Sequence, residues 1–245
     1  MALSISVEVG PVLLVNETGD SAEVAGTLRN AVESASVPGT VVRFDPSVFN
    51  GETNEDGEAT DIIASSSALV LNSGESVFID GSDIPGGVTI DSEGVNRMLR
   101  QDDPNSTFAI YNLTLRNGNG SVGANGGAIL TNAYLSVLRS TVNNCSAANG
   151  GGLRINPGAA ACVADSIFTG NSATSQGGAI SNENGALTVA SSTIHGNSAP
   201  LGAGVFTRGG PARFTNSTIA NNTAAHNLGA ASSGSITRSS STTRP

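Results

Sequence analysis

Two carboxylates, Asp165 and Glu183, are all that residues 111–245 offer for acid–base chemistry. Hydrolysis of a glycosidic bond calls for a pair of acids about 5–9.5 Å apart, one of them held protonated. A repeat of about 26 residues, developed below, instead sets Asp165 beside Arg139 and Glu183 beside Arg208. Both acids therefore read as halves of surface ion pairs between neighbouring coils, worth about 0–1 kcal/mol each. No lysine is present, so a lyase base would have to be an arginine such as Arg154 or Arg213. No acidic cluster stands beside either in the repeat register.

The other chemistry-bearing residues are scattered. Residues 52–61 are acidic, and Glu52, Asn54, Asp56 and Gly57 imitate the first half of a calcium loop. The closing glutamate is missing, because position 63 is Ile63, and the stretch reads as a solvated acidic insertion. Cys145 and Cys162 match no metal-ligand spacing. Cys145 falls at a turn position and reads as a small buried residue rather than a nucleophile. His195 and His226 have no phased partners. The sequence thus names no catalytic residue, no metal ligand and no cofactor. A site in the irregular first half would have to draw on Asp80, Asp83, Asp91 or the 52–61 stretch.

Charge and composition exclude whole classes. The chain has 245 residues and a net charge of −9. Residues 1–110 hold 18 acids and four arginines, against two acids and seven arginines in 111–245. A nucleic-acid partner requires a cationic excess, so none is expected. No apolar run approaches the roughly 18 residues of a membrane-spanning helix. Met1 to Asp20 lacks the positive n-region of a secretory signal.

The elements that must position these residues are set by internal repetition. The apolar anchors Leu115, Val142, Phe168, Ile194 and Ile219 recur at spacings of 27, 26, 26 and 25. A second column runs Ile110, Val137, Val163, Val189, Phe214. A third runs Ile129, Leu153, Ile180, Val205, each member following a glycine cluster. Within each stretch apolar and polar residues alternate as in a strand. Three short strands per coil, stacked at about 4.8 Å, turn each column into a continuous internal ladder. The predicted fold is all-β: a right-handed parallel β-helix of about 26 residues per coil. Asn171, Asn197 and Asn222 share one turn position, with Cys145 in the same place one coil earlier. An outward threonine column (Thr114, Thr141, Thr193, Thr218, interrupted by Ile167) reflects β-propensity rather than an ice-binding lattice.

Gly-Gly-Ala-Ile at 126–129 and 177–180, paired with Phe168-Thr-Gly-Asn171, resembles the repeat motifs of chlamydial polymorphic outer-membrane proteins. More broadly it resembles the right-handed parallel β-helix repeat proteins of bacterial surfaces. Gly26-Thr-Leu-Arg-Asn-Ala-Val32 is similar to the CSLREAI motif of the same proteins, without its cysteine. Thr27 to Ser34 is expected as a short helix, N-capped by Thr27, whose face of Leu28, Ala31 and Val32 plugs the solenoid. The organisation expected is a cap and acidic loop (1–61), a β-helix (62–230) and a disordered Ser/Thr/Arg-rich tail (231–245). The loss of pattern after Asn227 reads as a truncated or altered end. The resemblance implies an extracellular or bacterial cell-surface location. It also implies a non-catalytic, adhesin- or passenger-like role with polysaccharide or a host or cell surface as partner, the chain being a monomer. The rival expectation is a polysaccharide lyase or hydrolase on the same scaffold.

Overall fold

The computed structural model describes residues 10–51, 62–71, 76–120, 124–224 and 236–238. It is a parallel β-solenoid. The nine-stranded sheet runs from Val12–Val15 and Thr40–Phe44 through Ser76–Asp80, Thr107–Tyr111, Tyr134–Leu138, Ala160–Ala164 and Ala186–Ala190 to Ala212–Thr215 and Ile236–Arg238. A seven-stranded sheet carries the Leu115–Phe168–Ile219 column, and a six-stranded sheet the Ile129–Val205 column. Every strand pair among the described residues is parallel, and the register is continuous except for a shift between Ala147 and Asn149. Val137 pairs with Val163, Val163 with Val189, and Val189 with Phe214.

The three predicted columns form one continuous apolar cluster. Val137, Val163 and Val189 are wholly enclosed, and Phe214 is 8% exposed. Burial of these aliphatic ladders is the main favourable term, since each fully buried side chain is worth about 1.5–3 kcal/mol. Beyond the three expected strands, a fourth short one appears in several coils. Ser146–Asn149, Ser172–Gln176, Ser198–Ala199 and Thr223–Ala224 form a small sheet of their own. Its Ala173 and Ala199 make a separate alanine cluster with Ala203, which follows the strand Ser198–Ala199. The chain then swings into the six-stranded sheet through the glycine clusters. Gly177 takes φ +66, and a Cβ on Gly178 would run into the Ala203 and Ser198 carbonyls, so only glycine fits there.

Two polar ladders close the corners. The side-chain oxygens of Asn171, Asn197 and Asn222 each accept the backbone N–H of the equivalent residue one coil earlier. At Gly118 the acceptor is the Cys145 sulfur, 3.2 Å away. A second ladder was not anticipated from the sequence. The hydroxyls of Ser140, Ser166, Ser192 and Ser217 accept from the backbone N–H groups of Leu113, Ser140, Ser166 and Ser192.

The expected helix is present as Leu28–Glu33, capped by Thr27 and Ser34, with the Thr27 hydroxyl accepting from Asn30 N–H. Leu28, Ala31 and Val32 are buried in the main core. The helix packs against the first strands of the nine- and six-stranded sheets, covering that end of the solenoid. Arg29 is buried with it. It pairs with Asp20 and Glu33, both at 2.8 Å, and donates to the Ser67 and Ala68 carbonyls. Of the tail, Ile236–Arg238 pairs with Ala212–Phe214. The disorder expected for the rest of 231–245, the acidic stretch 52–61 and His226 all lie outside the described residues.

Candidate binding face

The seven-stranded sheet turns a flat polar face outward. Its strands are three or four residues long, and their middle residue points inward. The two flanking positions therefore face out and stack into columns. One column is Thr89, Thr114, Thr141, Ile167, Thr193 and Thr218, so the predicted threonine column extends back to Thr89, which is itself buried. The other, two residues along, is Asp91, Arg116, Asn143, Thr169 and His195. After it comes a turn position held in the left-handed region: Asn117 (φ 59), Asn144 (φ 53), Gly170, Gly196 and Asn221 (φ 55). Asparagine and glycine occupy it because they tolerate that geometry best.

At one end of this face a cleft of about 420 Å³ opens between Glu93, Gly94, Asn117, Gly118, Asn144 and Ser146. Glu93 is the carboxylate in its lining, and Asp91 lies two residues before it. Burial works to raise the carboxyl pKa of Asp91, but three partners outweigh it. These are the Glu93 N–H at 2.8 Å, the Asn117 amide at 2.9 and 3.1 Å, and Arg116 Nε at 2.6 Å. The net shift is downward, so Asp91 is held ionised. Below the cleft, burial pushes the Cys145 thiol up to about 12. That thiol is no nucleophile at neutral pH, as the sequence reading expected. His195 faces outward, 3.5 Å from the Thr169 hydroxyl.

The ion pairs differ in part from expectation. Glu183 does meet Arg208, but it also receives Arg154 at 2.6 Å. Arg154, expected to stand without an acidic cluster, has this one acid, and it further donates to the Ser181 hydroxyl and the Asn156 side-chain oxygen. The Glu183 carboxyl is lowered by these two arginines, Arg154 foremost. Asp165 and Arg139 form no salt bridge. Both are left-handed turn residues. Arg139 reaches back one coil, donating to the Tyr111 hydroxyl at 2.9 Å with its guanidinium 5.8 Å from that ring's centroid. Asp80 and Asp83, expected to be unmatched, share Arg43 at 3.1 and 2.9 Å. Asp91 is matched by Arg116. Among the described residues, no group of three metal-ligating side chains occurs. Each described carboxylate with a resolved shift (Asp20, Asp45, Asp91, Glu183) moves down. A general acid needs the opposite.

No protein-family profile matches this sequence, and no curated protein is significantly similar to it. Among the described residues no helix is long and apolar enough to cross a membrane.

The polar column was the part of the site that sequence reasoning missed. Its phase was available, two residues beyond each threonine. Its chemistry changes from Asp to Arg to Asn to Thr to His, so no repeated letter marked it.

Proposed function

We propose that the chain is a non-catalytic surface module of the adhesin or passenger type. On this reading the threonine and polar columns of the seven-stranded sheet, with the adjoining cleft, bind the hydroxyl-rich surface of a polysaccharide. The observation that carries the reading is the make-up of this face. It presents hydrogen-bonding groups two residues apart on successive strands, while its one enclosed carboxylate, Asp91, is kept ionised by three partners. An array of amides and hydroxyls repeated on successive strands suits the hydroxyl groups of repeated sugar units. The likeness of the Gly-Gly-Ala-Ile and Phe-x-x-Asn motifs to bacterial surface repeats supports a cell-surface or extracellular setting.

The test is a panel of neutral and acidic polysaccharides, assayed for binding and for release of reducing or unsaturated ends, with and without calcium. Binding without turnover is expected. Asn144→Gly removes the amide at the cleft while keeping a residue suited to positive φ, and should weaken binding about tenfold, or about 1.4 kcal/mol. Turnover abolished by Asp91→Asn would replace this reading with the lyase or hydrolase alternative.

A further inference from the structure

The cleft at the end of the threonine face has walls with few hydrogen-bond donors to spare. Its lining backbone N–H groups are all engaged within the solenoid. Glu93 N–H goes to Asp91 Oδ1, Gly94 to the Asn117 carbonyl, Asn117 to Asn143, Gly118 to the Cys145 sulfur, Asn144 to Thr169 and Ser146 to Gly118. The Asn117 amide nitrogen is taken as well, by both oxygens of Asp91, which leaves that amide only its oxygen. What remains are the Asn144 amide and the Ser146 hydroxyl, which accept as well as donate, and the Glu93 carboxylate, which only accepts.

Charge points the same way. Asp91 is answered by Arg116 at 2.6 Å, whereas Glu93 is in no salt bridge among the described residues. The cleft is therefore left with the uncompensated negative charge of Glu93. Its placement also carries a steric cost. Glu93 turns this corner with φ 51, where the following coils use Asn117, Asn144, Gly170, Gly196 and Asn221. Asparagine and glycine enter the left-handed region more easily than glutamate, and backbone strain of this kind collects at functional positions.

We propose that the cleft takes the ammonium group of an amino sugar, so that the polysaccharide bound by this module is one with free amino groups. The inference rests on the polysaccharide-binding reading above and specifies its ligand. A primary ammonium brings three donors and no acceptor, the complement of these walls, and its hydrogen bond to Glu93 is charge-assisted. The neighbouring sugar hydroxyls meet Asn144 and Ser146, which can give or take. At about 420 Å³ the cleft has the size of a small-ligand pocket. An anionic sugar would face the Glu93 charge with no free backbone donor to receive it. A calcium ion, which takes about six to eight oxygen ligands, finds a single unengaged carboxylate here.

Calorimetric titration of the full chain at pH 6 with glucosamine oligomers, and with the same oligomers fully N-acetylated, tests this. The free-amine form should bind about tenfold tighter, and the advantage should shrink as added salt screens it. Glu93→Gln should bring the ratio of the two affinities to about one. Glu93→Asn should do the same while melting no lower than the parent, because asparagine suits the corner, which separates loss of the charge from loss of the fold. Equal affinity for the two oligomers would overturn the inference and leave the polysaccharide-binding module standing. No binding to these or to any other polysaccharide tested would overturn both. A preference that survives Glu93→Gln, or one that needs added calcium and disappears on chelation, would assign recognition to other groups and overturn the inference as well.

Discussion

Replacing Asn197 by alanine removes the central rung of the asparagine ladder. Asn197 is 1% exposed. Its oxygen accepts from the Asn171 N–H at 2.9 Å and the Asn171 amide at 3.0 Å. Its own amide donates to the Phe168 and His195 carbonyls and to the Asn222 oxygen, at 2.9 to 3.0 Å. Asn171 keeps its bond to the Val142 carbonyl, but its backbone N–H and the amide hydrogen it gave to Asn197 are orphaned inside the solenoid. Each buried orphan costs about 1–3 kcal/mol, so Asn197→Ala should cost about 3–5 kcal/mol. With an m-value of about 3 kcal/mol/M, the urea midpoint falls by about 1–1.7 M. Asn197→Cys is the informative companion, because Cys145 already fills this role two turns away by accepting from Gly118 N–H. It should recover part of the loss that alanine shows. Native-state hydrogen exchange adds a local readout: the Asn171 amide should exchange faster in the alanine variant than in the cysteine one. A cost below about 1 kcal/mol for alanine, or equal costs for the two variants, would refute the account of the ladder as a set of obligatory bonds.

Val163→Asp places a carboxylate at a wholly enclosed position. It costs several kcal/mol and should leave no folded protein, whereas Thr188→Asp, outward on the adjacent strand, should fold; circular dichroism distinguishes the two. Arg29→Met strands Asp20 beside the cap helix and should cost about 3–5 kcal/mol in thermal unfolding, with less lost when Asp20→Asn is added. The same pair sets a pH dependence. Burial works to raise the Asp20 pKa, but Arg29 and Ser66 outweigh it, so the folded value lies below 3.8. Its stabilisation is therefore complete above 3.8 and lost as pH falls through the lowered value; hydrogen exchange in Leu28–Glu33 should accelerate only in that acid range, and acceleration already at about pH 5 would contradict the assignment. Finally, a maleimide at pH 8 should label one thiol per native chain, Cys162, with Cys145 reacting only on unfolding; mass spectrometry counts the adducts.

The inward columns were legible because burial repeats the same demand on every coil. Leu115, Val142, Phe168, Ile194 and Ile219 differ in shape but answer one requirement, so their spacing survives in the letters. Thr27 was legible for a local reason, a hydroxyl placed three residues before the amide it receives. The Asp20–Arg29 pair was not. It joins two segments of irregular length, and no period connects them. Arg139 was misjudged because register alone gives the Cα neighbour, while a long side chain on a left-handed turn has a choice of direction and took the tyrosine. The fourth strand left a trace in Ser146-Ala147, Ser172-Ala173 and Ser198-Ala199. Serine and alanine are weak strand formers, however, and the trace resembles a turn.

The two outward faces were the hardest to read, and the reason bears on function. An inward column is held to its chemistry by the core, and a corner ladder by its obligatory backbone donors. An outward column is under neither constraint. Where it keeps one residue type over several coils, as the threonines do, propensity explains it. Where it changes systematically along the axis, propensity does not. On the nine-stranded face the changes follow local partners: Arg43 answers Asp80 and Asp83, and Arg139 answers the Tyr111 hydroxyl. Each such match joins two neighbouring strands only, so no period carries it along the sequence.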